Sequence, residues 1–222
     1  MRKNTALESS QAVNLSTKFQ IRVIWFCMMF FALQASTDGL GYIFGPLERF
    51  DPAFSEKYQA NLSLVRTHAV FSATALCTGL LAFWQQTWKG HVHALVGRIY
   101  GLGVLVGGIT GIPMALMAEG GFSSRLAFLL QACLWLITLT LAVSFARRKK
   151  FASHRRFMIR NYALTYSAVI SRLLLHGLQQ MGMGFLDLYP ILSWTWVLGL
   201  AAGEWWIRFS KSRKTLFGRP GF

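Results

Sequence analysis

Five histidines and a handful of isolated arginines are the residues here that can do chemistry, because each stands in or beside a long apolar stretch. Imidazole changes charge near neutral pH and, when neutral, is the commonest nitrogen ligand for a metal. His68 and His176 fall near one end of their apolar stretches, whereas His91, His93 and His154 fall near the other. Histidines at two levels, contributed by different helices, are what an iron porphyrin gripped from both faces needs. The set therefore suggests b-type haem, with His68 and His176 as ligands at one level, His93 and His154 at the other, and His91 as a spare. Hydrogen bonding to water and lipid headgroups is the plainer role for any one of them taken alone. His154 and His176 stand roughly 33 Å apart if one helix carries both, so they cannot share a ligand.

Arginine is costly in hydrocarbon unless it is paired, hydrated or close enough to the surface to snorkel. Arg98 and Arg160 lie near helix ends and can snorkel. Arg172 lies roughly 18 Å further along the same helix than Arg160, one turn before His176. A guanidinium there can take a haem propionate, a quinone oxygen or an anionic lipid, or form a structural pair with Asp38 or Asp187. Glu204 has Arg208 one turn away as its expected partner.

Gly97, Gly101, Gly103, Gly107, Gly108 and Gly111 repeat at short spacing. No strand precedes them, so a nucleotide-binding loop is excluded by context. Close helix packing through small residues is the simpler use, and a smooth face for a flat cofactor or lipid is the other. Cys27, Cys77 and Cys133 sit in separate apolar blocks without CxxC spacing and read as small buried hydrophobes. HExxH, GxSxG and paired-aspartate signatures of a hydrolase are absent from the chain.

The elements that must position these groups follow from composition. Of the 222 residues, 54% are hydrophobic and 14% charged, against about a quarter charged in an ordinary soluble domain. The apolar residues form blocks close to the roughly 20 residues that a bilayer core demands. An all-α, polytopic transmembrane bundle of about six helices is expected, over residues 21–40, 67–88, 94–118, 126–146, 157–178 and 191–209. Residues 1–20 and 210–222 are then basic tails. Leu33, three residues before a cut near Ala35, suits a signal-peptide site poorly, so the first helix is expected to stay uncleaved.

The formal net charge of +15 invites a nucleic-acid reading, but the basic residues are sorted by position. Arg2, Lys3, Lys18, Lys89, Arg147 to Arg160 and Arg208 to Arg219 fall on one side of such a bundle, while Glu48, Asp51, Glu56, Glu119 and Asp187 fall on the other. The positive-inside bias then puts both termini in the cytoplasm. Trp84, Trp88, Trp205 and Trp206 mark the inner interface, and Trp194 and Trp196 the outer.

Several strings also resemble one family. They are His68 to Gly79, His93-Ala94-Leu95-Val96-Gly97-Arg98-Ile99-Tyr100, Gly120-Gly121 with Trp135 downstream, and His154-Arg155-Arg156-Phe157-Met158-Ile159-Arg160-Asn161-Tyr162-Ala163-Leu164 continuing to Arg172. They look like the bacterial membrane family known as domain of unknown function 2306, over residues 66–175 or so. The resemblance implies a helical membrane bundle whose recurrent polar positions correspond to His68, His93, Arg98, His154, Arg160 and Arg172, with no established activity. His176 lies outside that pattern, and Phe157 stands where a Trp is common.

The expected function is electron transfer in the bacterial inner membrane, by a protein that binds b-type haem and exchanges electrons with a quinone or a partner protein. The competing class is a non-redox accessory, transport or lipid- and partner-binding subunit. Membrane lipids, and in either class other membrane subunits, are the expected partners, and nucleic acid is not.

Overall fold

The computed structural model describes residues 2–46, 52–84 and 90–216. Within them the chain is helical throughout, with no strand among the described residues. A backbone in hydrocarbon must satisfy its polar groups internally, and the helix does so within one segment. The helices are α1 (Arg2–Phe44), α2 (Pro52–Ala60), α3 (Leu62–Phe83), α4 (His91–Leu116), α5 (Gly121–Arg147), α6 (Phe151–Gln180), α7 (Phe185–Leu192) and α8 (Thr195–Leu216). From α3 to α6 each long helix packs on the next, α8 packs on α6, and α1 lies against α3 and α6.

Five segments are long and apolar enough to cross a bilayer: Phe19–Gly41, Leu62–Phe83, His91–Leu116, Gly121–Arg147 and Phe185–Phe209. The expected fifth span, here α6, is not among them, because Arg155, Arg156, Arg160 and Arg172 dilute its hydropathy. Its polar residues face inward, and Asn161, Tyr162, Thr165 and Ser167 are buried against α5, α8 and their neighbours. The helix at the centre of the bundle needs less apolar surface than those around it.

The distribution of side chains is that of a protein dissolved in lipid. Phe26, Phe30, Leu102, Ile109, Ile137 and Leu198 are exposed, while much of the core is as small as Ala32, Ala75, Ala127 and Ala142. Lipid tails are as apolar as leucine, so the helices gain from close approach rather than from hiding large side chains. A Cβ on Gly103 would lie 2.8 Å from the Phe71 carbonyl oxygen, and one on Gly108 would lie 2.6 Å from Leu136. Gly97 and Gly101 have ordinary clearance, so only part of the glycine stripe is packed.

The element boundaries differ from the expected ones in an informative way. Apolarity marks how far a helix is immersed, whereas the helix itself runs on into water. The basic tail is thus the first part of α1, and α4 starts at His91 directly after Gly90 at φ 57°, so His91 and His93 lie on the helix and not in a turn. Likewise α6 starts at Phe151 and includes His154. The expected sixth span is broken into α7 and α8 at Ser193 and Trp194, with Pro190 inside α7. Cys27 is exposed, not buried, and all three cysteines are free thiols. Glu48, Arg49, Asp51, Trp88, Lys89 and Arg219 lie outside the described residues.

Candidate functional site

The bundle has a basic end, carrying His91, Arg147 to Lys150 and His154, and a far end at the turns after α4 and α6. The middle is closed by a hydrogen-bonded set of uncharged side chains. Asn161 on α6 accepts from the Tyr100 hydroxyl of α4 and donates to the Trp135 carbonyl and to Thr138 Oγ1 on α5, each at 2.7 Å. Trp135 Nε1 donates to Thr165 Oγ1 at 2.8 Å, and Tyr100 Oη lies 3.1 Å from the same hydroxyl. Both amide hydrogens and the oxygen of Asn161 are used, which a buried amide requires. The Tyr162 hydroxyl adds a bond to the Leu76 carbonyl on α3 at 2.9 Å.

On the far side of this floor lies an open cavity of about 480 Å³ lined by α1, α2, α3, α4, α5, α6, α7 and the start of α8. Val65, Leu76, Met114, Phe128, Leu164 and Leu175 give it apolar walls, and Trp135 and Thr165 join it to the floor. Its polar groups include Ser36, Ser72, Ser171, Ser193, His68 and Arg172. Such a size and such a mixture are usual for a small-molecule pocket.

His68 is held in one orientation. Its Nδ1 is 2.9 Å from the Gly107 carbonyl oxygen and 3.3 Å from Thr110 Oγ1. A carbonyl only accepts, so Nδ1 carries a hydrogen, and in the neutral ring Nε2 is left with its lone pair, 3.4 Å from Ser72 Oγ. Gly111 makes room for the ring, since a Cβ there would be 3.3 Å from His68 Cε1. Arg172 also lines the cavity and crosses to α1, where its Nη2 would meet a Cβ on Gly39 at 3.0 Å. Among the described residues the ion pairs are Lys57 with Glu119 and Arg160 with Glu204. Arg172 therefore has neither Asp38 nor Asp187 at ion-pairing distance, although the charge of Asp38 does reach it.

Of the histidines and arginines proposed as a site, the cavity gathers His68 and Arg172. His176 is exposed and absent from the lining, because it lies one turn nearer the end of α6, where most of the helix is uncovered. His154 is engaged at the basic end, with Nδ1 2.9 Å from the Ala142 carbonyl oxygen, and His93 lies in the first turn of α4. Neither histidine pair proposed for a haem is assembled around the cavity. Arg98 is exposed. Arg160 makes a two-pronged bond to Glu204 and lies 5.0 Å over the Phe157 ring. Glu204 thus pairs across to α6 and not with Arg208 along its own helix, because α6 and α8 are in contact over this stretch.

Reasoning from residue type missed Tyr100, Trp135, Asn161 and Thr165, which are uncharged and singly unremarkable. Tyr100, Trp135 and Asn161 do fall within the strings that carried the family resemblance.

Long apolar helices with large side chains turned outward define an integral membrane protein of the multi-pass helical class. The chain belongs to the family described as "Predicted membrane protein (DUF2306)", whose model matches residues 65–207. That match extends past α6 through most of α8, further than the motifs alone reach. Neither a curated protein nor a solved structure matches the chain.

Proposed function

We propose that this protein holds a small lipophilic molecule in the cavity, with the molecule's polar head directed at Arg172 and His68. The observation behind the proposal is the placement of a guanidinium and an oriented imidazole in one otherwise largely apolar chamber. A binding subunit of this kind fits the non-redox class better than a two-histidine haem protein, since the chamber offers a single imidazole. The positive-inside bias makes the basic end cytoplasmic and the cavity end outer, with six crossings, both termini inside and the inner membrane of a bacterium as the setting.

The test is direct extraction. Protein purified in dodecyl maltoside should carry a lipophilic compound, detected by mass spectrometry, that Ala132→Phe and Ala168→Phe lose because both positions line the cavity. A compound retained equally by the filled variants, or none above the detergent background, defeats the proposal.

One observation favours a redox version. The Nδ1–H of His68 is tied to a backbone carbonyl, the arrangement that fixes a ligating imidazole, and an iron at Nε2 would take the place of the Ser72 hydroxyl. A haem bound there would supply one-electron chemistry, and a quinone is the natural lipid-soluble partner. A Soret band in the oxidised protein and an α-band after dithionite, both abolished in His68→Ala, are expected on that version. A colourless preparation after haem supplementation rules it out.

A further inference from the structure

We infer that the head group the cavity accepts is an oxyanion, a carboxylate or a phosphate, carried on an amphiphile. The inference rests on the cavity being a binding site and adds the chemical class of its occupant. Arg172 brings a fixed positive charge into the chamber, and no Asp or Glu is among the described residues that line it. A guanidinium in surroundings of low dielectric is costly until an opposite charge meets it. The serine hydroxyls add no free donor, since Ser36, Ser171 and Ser193 each donate to a backbone carbonyl three or four residues back and Ser72 faces the lone pair of His68. Arg172 is therefore the group that an anionic head would meet.

The resident acid does not remove this demand. Asp38 attracts Arg172 from α1, but the guanidinium lies over Gly39, whose missing side chain leaves it space, and no ion pair closes. A planar fork of N–H groups matches a carboxylate or phosphate two-pronged, which a neutral alcohol or ketone cannot reciprocate. Beside the charge, Leu76, Leu164 and Leu175 line a wall suited to an acyl or isoprenoid chain.

A brominated-lipid quenching experiment separates this inference from the proposal beneath it. Trp135 lines the cavity, so the fluorescence difference between wild type and Trp135→Phe reports on occupants of the cavity alone. In dodecyl maltoside, 9,10-dibromostearate should quench that difference at a concentration about tenfold below that of 9,10-dibromostearyl alcohol. Arg172→Gln should erase the gap, and Arg172→Lys should keep part of it. Equal quenching by acid and alcohol, unchanged in Arg172→Gln, overturns the oxyanion inference while the binding site stands. Quenching by neither probe overturns both. Displacement of dibromostearate by inorganic phosphate, with loss of that displacement in Arg172→Gln, supports the oxyanion class but overturns the amphiphile as its carrier.

Discussion

At the residue scale, the most consequential side chain is an uncharged one. Asn161 joins α4, α5 and α6 through three hydrogen bonds, each worth about 0.6–2 kcal/mol within a membrane bundle. Asn161→Ala should therefore cost about 2 kcal/mol or more. Thermal unfolding in detergent should show the melting point lowered by several degrees, while Arg98→Gln, at an exposed position, leaves it unchanged. Equal melting points for the two variants contradict the proposed role of the Asn161 bonds. The Arg160–Glu204 pair is a weaker contributor despite its charge, because its side chains are 26% and 36% exposed. Neutralising either partner should cost less than about 1 kcal/mol, and the coupling in a double-mutant cycle should shrink in high salt.

At the scale of elements, packing depends on where two helices approach too closely for a side chain. Gly103→Val should prevent stable assembly of α3 on α4, because the new atoms would meet the backbone of Phe71 and Ala75, which cannot move aside cheaply. Gly97→Ala meets nothing within 4 Å and should be neutral or slightly stabilising. Size-exclusion profiles in detergent distinguish the two, and a monodisperse Gly103→Val protein contradicts the argument. These contrasts also explain what the sequence could and could not tell. Immersed blocks were legible because about 20 apolar residues in a row have few other uses. Rotation was not, since it is set by packing rather than by span. Without rotation, Glu204 looks paired with Arg208, and four scattered polar residues do not look like a floor. Helix starts were less legible for a related reason: α5 ends at Arg147, next to the expected Ala146, but α6 begins at Phe151, so Arg155 and Arg156 mark the bilayer surface and not the start of hydrogen bonding.

For the whole molecule, the sorting of charge makes a prediction about topology. In a cysteine-free background, Ser123→Cys at the far end should react with a membrane-impermeant maleimide on intact cells, whereas Arg148→Cys should react only after lysis. Both native residues are exposed, so access to reagent depends on the side of the membrane. The reverse pattern would invert the molecule and put the cavity on the cytoplasmic side. Lys57 and Glu119 meanwhile tie α2 to the turn after α4 at the end nearest the cavity.

The hydrogen-bonded floor carries a last implication. A chamber stopped at mid-depth is a cup and not a pipe, so whatever enters must leave through the same half of the bundle unless Tyr100 and Asn161 part. Opening a through-path would strand several polar atoms at once in a dry interior. Tyr100→Phe with Asn161→Leu is the pair of changes most able to open the floor.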